Sequence, residues 1–144
     1  DRYWRSCARD GGGLMGTVPL LADGEAGVEA LAVFDDIRAK RQTDYVNNLW
    51  RALAHDPYLL RATWERLQQV MAPGALEPIV KEMVYLAVSV ANGCTYCVHS
   101  HTAAAKSKGM TEAQHTELLA VIAMASQTNM LATALGVPVD ERFM

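Results

Sequence analysis

The sequence predicts an all-α protein of about six helices. Apolar residues recur at helical spacing along most of the chain, while the alternating pattern of half-buried strands is scarce. Pro, Gly, Asp–Pro and Asn–Gly punctuate the chain at short intervals, and no low-complexity linker interrupts it.

Residues 1–17, opening "DRYWRSCARDGGGLMG" without an initiator Met, are expected to be a loosely ordered leader, with Met15 as one candidate natural start. Cys7 lies in this leader and receives no function. Residues 18–144 are expected to form one helical domain. In "GEAGVEALAVFDDIRAKR" the spacing sets Val28, Leu31, Ala32 and Ile37 on one side of a first helix. "YVNNLWRALAHDP" aligns Val46, Leu49, Trp50 and Leu53 and stops before Pro57. Asp56–Pro57 then reads as an N-cap followed by Pro at the first helical position, and "APG" closes that helix. "EPIVKEMVYLAVSVANG" opens at Pro78 and closes at Asn92–Gly93. The next helix runs to Gly109, with Lys106 and Lys108 near its end, where cations suit the helix dipole. Thr111 followed by Gln114 is a capping-box pattern opening a long apolar helix, and Pro138 begins a short tail.

Composition narrows the function classes. Net charge is −3 and the Lys and Arg residues are scattered, so no basic stripe suggests a nucleic-acid partner. The run Met83 to Val98 contains Ser, Asn, Gly, Thr and two Cys, and is too short and interrupted to span a bilayer. No membrane association is expected. Three cysteines, two of them in C-x-x-C, do not make a disulfide framework. A reducing, cytoplasmic setting is the default, and there such a pair serves catalysis or metal binding.

The chemistry concentrates in "NGCTYCVHSHTAAAKSKGM", residues 92–110. Cys94, Cys97, His99 and His101 are candidate zinc ligands, but on one helix His99 points about 200° away from Cys97. No second ligand pair completes a tetrahedron, so the expectation is no metal, with a three-ligand zinc site as a competing reading. Covalent haem needs His directly after the second Cys, where Val98 stands. Two packed thiols are the other competitor. The redox reading accounts for more. Cys94 follows the Asn92–Gly93 stop and lies at a helix amino end, which favours thiolate. Cys97 is one turn on, and His101 follows it at i+4, where it can exchange a proton. In an antiparallel hairpin about Asn92, Glu82 lies ten residues before and His101 nine after, nearly level at ~1.5 Å per residue. A Glu82–His101–Cys97 relay follows; a solvated face shared with Lys81 is the competing reading for Glu82. His55 is expected at a helix end and His115 in solvent, while Trp50 and Trp64 read as core or interface anchors.

With Glu82, eleven residues, then Cys94-x-x-Cys97-x-x-x-His101, the sequence resembles the AhpD-like alkyl hydroperoxidases of the carboxymuconolactone decarboxylase superfamily. Likeness is strongest over residues 78–109, and "FDDIRAKRQTDYVNNLWRALAHDPYLL" extends it upstream. The resemblance implies a thiol peroxidase: Cys97 would attack a hydroperoxide, Cys94 would resolve the sulfenic acid into a Cys94–Cys97 disulfide, and Glu82 and His101 would pass protons. It implies no bound cofactor, an external dithiol reductant of lipoyl or thioredoxin type, and a homo-oligomer, trimer or hexamer. The helical stretches 45–71 and 112–134 are candidate interfaces. The best-known member carries His where Tyr96 stands here, which bears on reductant choice. Competing readings are a dithiol oxidoreductase or redox sensor with little turnover and, more remotely, a decarboxylase-type lyase, a branch that lacks the cysteine pair.

Overall fold

A computed structural model describes residues 16–144, which hold six α-helices and a short 3-10 turn, with no strand among the described residues. Residues 1–15, with Cys7 and most of the expected leader, lie outside the described residues. The helices fall into two compact units, one ending at Val70 and the other Met71–Met144.

The first unit is built from α1 (Val28–Arg41), α2 (Asn48–Leu53) and α3 (Pro57–Met71). The stripe that α1 buries is Ala30, Val33, Phe34 and Ile37. Of the expected stripe Ile37 belongs to it and Leu31 packs half-buried against the same core, whereas Ala32 is exposed and Val28 is 75% exposed. Residues 28–34 offer apolar side chains on several faces, so spacing alone permits two stripes. Burying the Phe34 ring removes more apolar surface from water than burying Val28, and the helix turns accordingly. Val46, Trp50 and Ala54 pack from α2 and its flanks, whereas Leu49 stays exposed.

Pro57 occupies the first position of α3, and the Asp56 carboxylate accepts the Leu59 N–H at 3.0 Å, the expected N-cap. From α3, Leu60 and Trp64 complete the core. The Trp50 and Trp64 rings meet edge to face, centroids 5.3 Å apart. The Trp64 indole N–H donates to Asp36 Oδ2 at 2.7 Å, so the buried ring satisfies its polar atom.

The second unit contains α4 (Pro78–Ala91), α5 (Thr95–Ser107) and α6 (Glu112–Leu135), with α4 packed against both others. Backbone chemistry sets the turn between α4 and α5. Gly93 adopts φ +68°, its N–H donates to the Val90 carbonyl at 3.1 Å, and the Cys94 N–H donates to the Ser89 carbonyl at 2.9 Å. That is a Schellman closure, and it reverses the chain so that α5 returns antiparallel along α4. The same device ends α5: Gly109 has φ +99°, its N–H reaches Lys106 O, and the Met110 N–H reaches Ala105 O. Ala105 and Met110 are both buried, the apolar contact that accompanies this motif. Thr111 and Gln114 form the reciprocal capping box that opens α6.

The 24-residue α6 buries only Ile122 fully, leaving Leu119, Val121, Met124, Met130, Leu131 and Leu135 exposed. Its length and composition would suffice to cross a membrane, unlike the shorter, interrupted run Met83–Val98. On α4, Val80, Val84 and Val88 form a second exposed apolar stripe at i, i+4, i+8.

Candidate active site

The turn that joins α4 to α5 also builds the cysteine site. Cys94 closes α4 through its backbone N–H and is the N-cap of α5, where its Sγ accepts the Cys97 N–H at 3.3 Å. A sulfur in this place faces unpaired N–H groups and the positive end of the helix, which favour its anion. Hydrogen bonds from the Cys97 thiol and from the Cys97 N–H lower the Cys94 pKa below the ordinary thiol value. Burial acts the other way on Cys97 and, together with its hydrogen bond to Cys94 and the charge there, pushes that thiol up to about 11. Both cysteines are free, and the two titrate as one pair in which ionising the first holds the proton on the second.

The acidic side is equally well defined. Glu82, 5% exposed, is buried on α4 rather than on a solvated face. Its Oε2 accepts from His101 Nδ1 at 2.8 Å, and its Oε1 accepts from Lys108 Nζ at 2.9 Å. Burial opposes ionisation of this carboxyl, but the bonds and charges of His101 and Lys108 outweigh it and hold the pKa below the ordinary glutamate value. An ionised carboxylate only accepts, so His101 Nδ1 carries the proton, and a neutral ring presents Nε2 as its acceptor. Cys97 lies four residues before His101 on α5, the spacing at which helix side chains meet.

Tyr85 completes the cluster. Its ring stacks on the His101 imidazole, centroids 3.6 Å apart and planes 19° from parallel. Burial first, then the negative charges of Cys97, Cys94 and Glu82, raise its phenol pKa, which keeps the hydroxyl protonated beside the sulfurs.

The structure thus brings Glu82 together with His101, and Cys94 with Cys97. It leaves His99 exposed and Tyr96 40% exposed, and no cluster of three or more His, Cys, Asp or Glu able to hold a metal occurs among the described residues. His55 Nε2, exposed at the end of α2, donates to the Pro19 carbonyl at 2.8 Å, and His115 is half-buried rather than solvated. Sequence reasoning missed Lys108 and Tyr85. Lys108 follows His101 by seven residues and Tyr85 follows Glu82 by three, so each shares a helix face with a residue already singled out.

Residues 57–140 match the carboxymuconolactone decarboxylase family. Among solved structures, the chain is similar to the alkylhydroperoxidase AhpD core from Rhodospirillum rubrum ATCC 11170, at 61% identity and a TM-score of 0.87, covering 90% of this chain and 97% of that one. Among curated proteins, it is 42% identical over 72 residues to alkyl hydroperoxide reductase AhpD of Solibacter usitatus (strain Ellin6076), covering 50% of this chain and 39% of that protein. It is 32% identical over 109 residues to the protein of that name from Anaeromyxobacter sp. (strain K), covering 73% of this chain and 58% of that protein. The chain therefore spans less than two thirds of these curated relatives, 39% and 58% of their lengths. A family match over residues 57–140 and a fold shared with nearly the whole of a solved AhpD core lead to one assignment: the chain belongs to the carboxymuconolactone decarboxylase family, as an AhpD-like member.

Proposed function

We propose that the protein is a thiol-dependent peroxidase that reduces alkyl hydroperoxides or hydrogen peroxide through the Cys94–Cys97 couple. The observation that supports this most is the pairing of unequal sulfurs beside a carboxylate-anchored imidazole on one hairpin. In the reaction, the Cys97 thiol gives up its proton to the His101 imidazole, whose cationic form the Glu82 carboxylate stabilises. The Cys97 sulfur attacks the terminal peroxide oxygen, the O–O bond breaks, and the proton leaves on the departing alcohol or water. Cys97 is then a sulfenic acid. Cys94, ionised by its place at the helix start, attacks that sulfur, expels hydroxide that takes up a proton to become water, and forms the disulfide. An external dithiol returns two electrons and two protons by thiol–disulfide exchange. Peroxide is reduced and the dithiol is oxidised.

The similar proteins named alkyl hydroperoxide reductase and alkylhydroperoxidase support the substrate class. The unequal thiols refine the roles: Cys94 is ready to resolve, while Cys97 attacks only once relieved of its proton. The exposed apolar face of α6 supports assembly with further copies of the chain, as a trimer or hexamer.

Mass spectrometry after stoichiometric hydroperoxide tests the reading. The native protein should lose two hydrogens and regain them with dithiol. Cys97→Ser should not consume peroxide, and Cys94→Ser should accumulate a trappable sulfenic acid at Cys97. Normal turnover by both variants would overturn the proposal; a single oxidation without repeated turnover would make the protein a redox sensor instead.

A further inference from the structure

Lys108 reaches away from its own helix end to the buried carboxylate of α4. The ordinary role of a lysine at this point is to neutralise the helix dipole, and its neighbour Lys106 makes a 2.7 Å ion pair with Glu112 at the start of α6. Lys108, the C-cap of α5, instead donates to Glu82 Oε1 at 2.9 Å, while Oε2 of the same carboxylate accepts from His101. The two oxygens are therefore committed to different partners, and the carboxylate cannot rotate without breaking one bond.

The charge count gives this arrangement its meaning. Lys108 and Glu82 balance one another, so the imidazole can stay neutral without leaving a buried carboxylate uncompensated. Were Lys108 absent, Glu82 would be left with His101 as its hydrogen-bonded partner, and balance would be restored by an imidazolium. A ring already protonated has no lone pair for a thiol proton. The ionisable groups around this ring include Glu82 and Tyr85 on α4, with Cys94, Cys97 and Lys108 on and beside α5; Glu112 of α6 is engaged by Lys106.

We propose that Lys108 is a positioning residue that locks the Glu82 carboxylate and keeps the resting His101 ring neutral, with its proton on Nδ1 and its lone pair on Nε2. The use of that lone pair rests on the peroxidase reading; the lock itself does not. The Lys108 side chain is 39% exposed, so the lock can be removed without emptying the core.

The test uses the reduced full-length chain with no peroxide, labelled with ¹⁵N-histidine, and reads the ring nitrogens by long-range ¹H–¹⁵N correlation at fixed pH near neutrality. The native His101 should show one protonated Nδ1 and one bare Nε2. In Lys108→Met the ratio of imidazolium to neutral ring should rise about tenfold, the usual response to losing one charge close to a titrating pair. Lys108→Arg should restore the native signature. A parallel thermal melt identifies any variant that does not fold, in which case Lys108→Gln is read in its place. If the variants fold and His101 keeps its native tautomer and charge, Lys108 is not a positioning residue. Because no turnover is measured, a protein that proves inactive toward peroxide can still display the lock, and an active peroxidase can still fail this test.

Discussion

Replacing Glu82 by Gln isolates the worth of the buried carboxylate while keeping its shape. The amide offers one carbonyl oxygen where the carboxylate offered two acceptors, and its NH₂ faces a donor that no longer has a partner. The His101 side chain is 17% exposed and Lys108 39%, so Lys108 turns to water and the carbonyl stays with His101. A hydrogen bond to a charged group contributes about 1.5–3 kcal/mol, and solvent screening at Lys108 places this loss at the lower end, about 1.5 kcal/mol. For a chain of this size that corresponds to a fall of roughly 3–6 °C in midpoint.

The pH dependence supplies the decisive control. The folded pKa of Glu82 lies below its ordinary value, so its contribution is complete above the unfolded glutamate pKa of about 4.3 and is lost as pH falls through the folded value. Urea melts at one protein concentration should therefore show the full gap between native and Glu82→Gln proteins at pH 7. The gap should close progressively below about pH 4. A gap under about 0.5 kcal/mol at pH 7 or one equally large at pH 3 would refute the buried, doubly bonded carboxylate.

Three further outcomes follow from the geometry. Brief iodoacetamide treatment near neutral pH should label Cys94 ahead of Cys97, as peptide mapping will show, because Cys94 is the lowered thiol and Cys97 the raised one. Gly93→Ala should destabilise the protein by about 1–2 kcal/mol in a urea melt. A methyl there meets no atom within 4 Å, so the cost is the φ of +68° alone. Met130→Lys combined with Leu131→Glu should lower the sedimenting mass while leaving the helical circular dichroism unchanged, since both side chains lie on the exposed face of α6.

Local chemistry made much of the fold legible. Asp56–Pro57, Asn92–Gly93 and Thr111 with Gln114 each act within a few residues, and each marks its helix end as expected. Glu82 and His101 were placed together by counting outward from one turn, because a short antiparallel link fixes the register of both helices. The stripe of α1 was only partly legible: Ile37 and Leu31 do meet the core, but a segment with Val28, Ala30, Leu31, Ala32, Val33 and Phe34 offers several apolar faces and the packing partners choose among them. Lys108 was hidden by its position: near a helix end, a cation already has a local explanation. The inequality of the two sulfurs was half visible. The helix start marks Cys94, but the burial that raises Cys97 depends on neighbours that spacing does not reveal.

Cys94 carries two structural duties beyond its chemistry, fastening the last turn of α4 through its backbone N–H and receiving the Cys97 amide in the first turn of α5 through its sulfur. Once its sulfur is tied to another sulfur, it loses the anionic charge that made it a good acceptor for that amide. The first turn of α5 then has to look elsewhere for its anchor. A disulfide at this position would thus loosen the cap of α5 while leaving the backbone closure of α4 in place, and its reduction would return the cap.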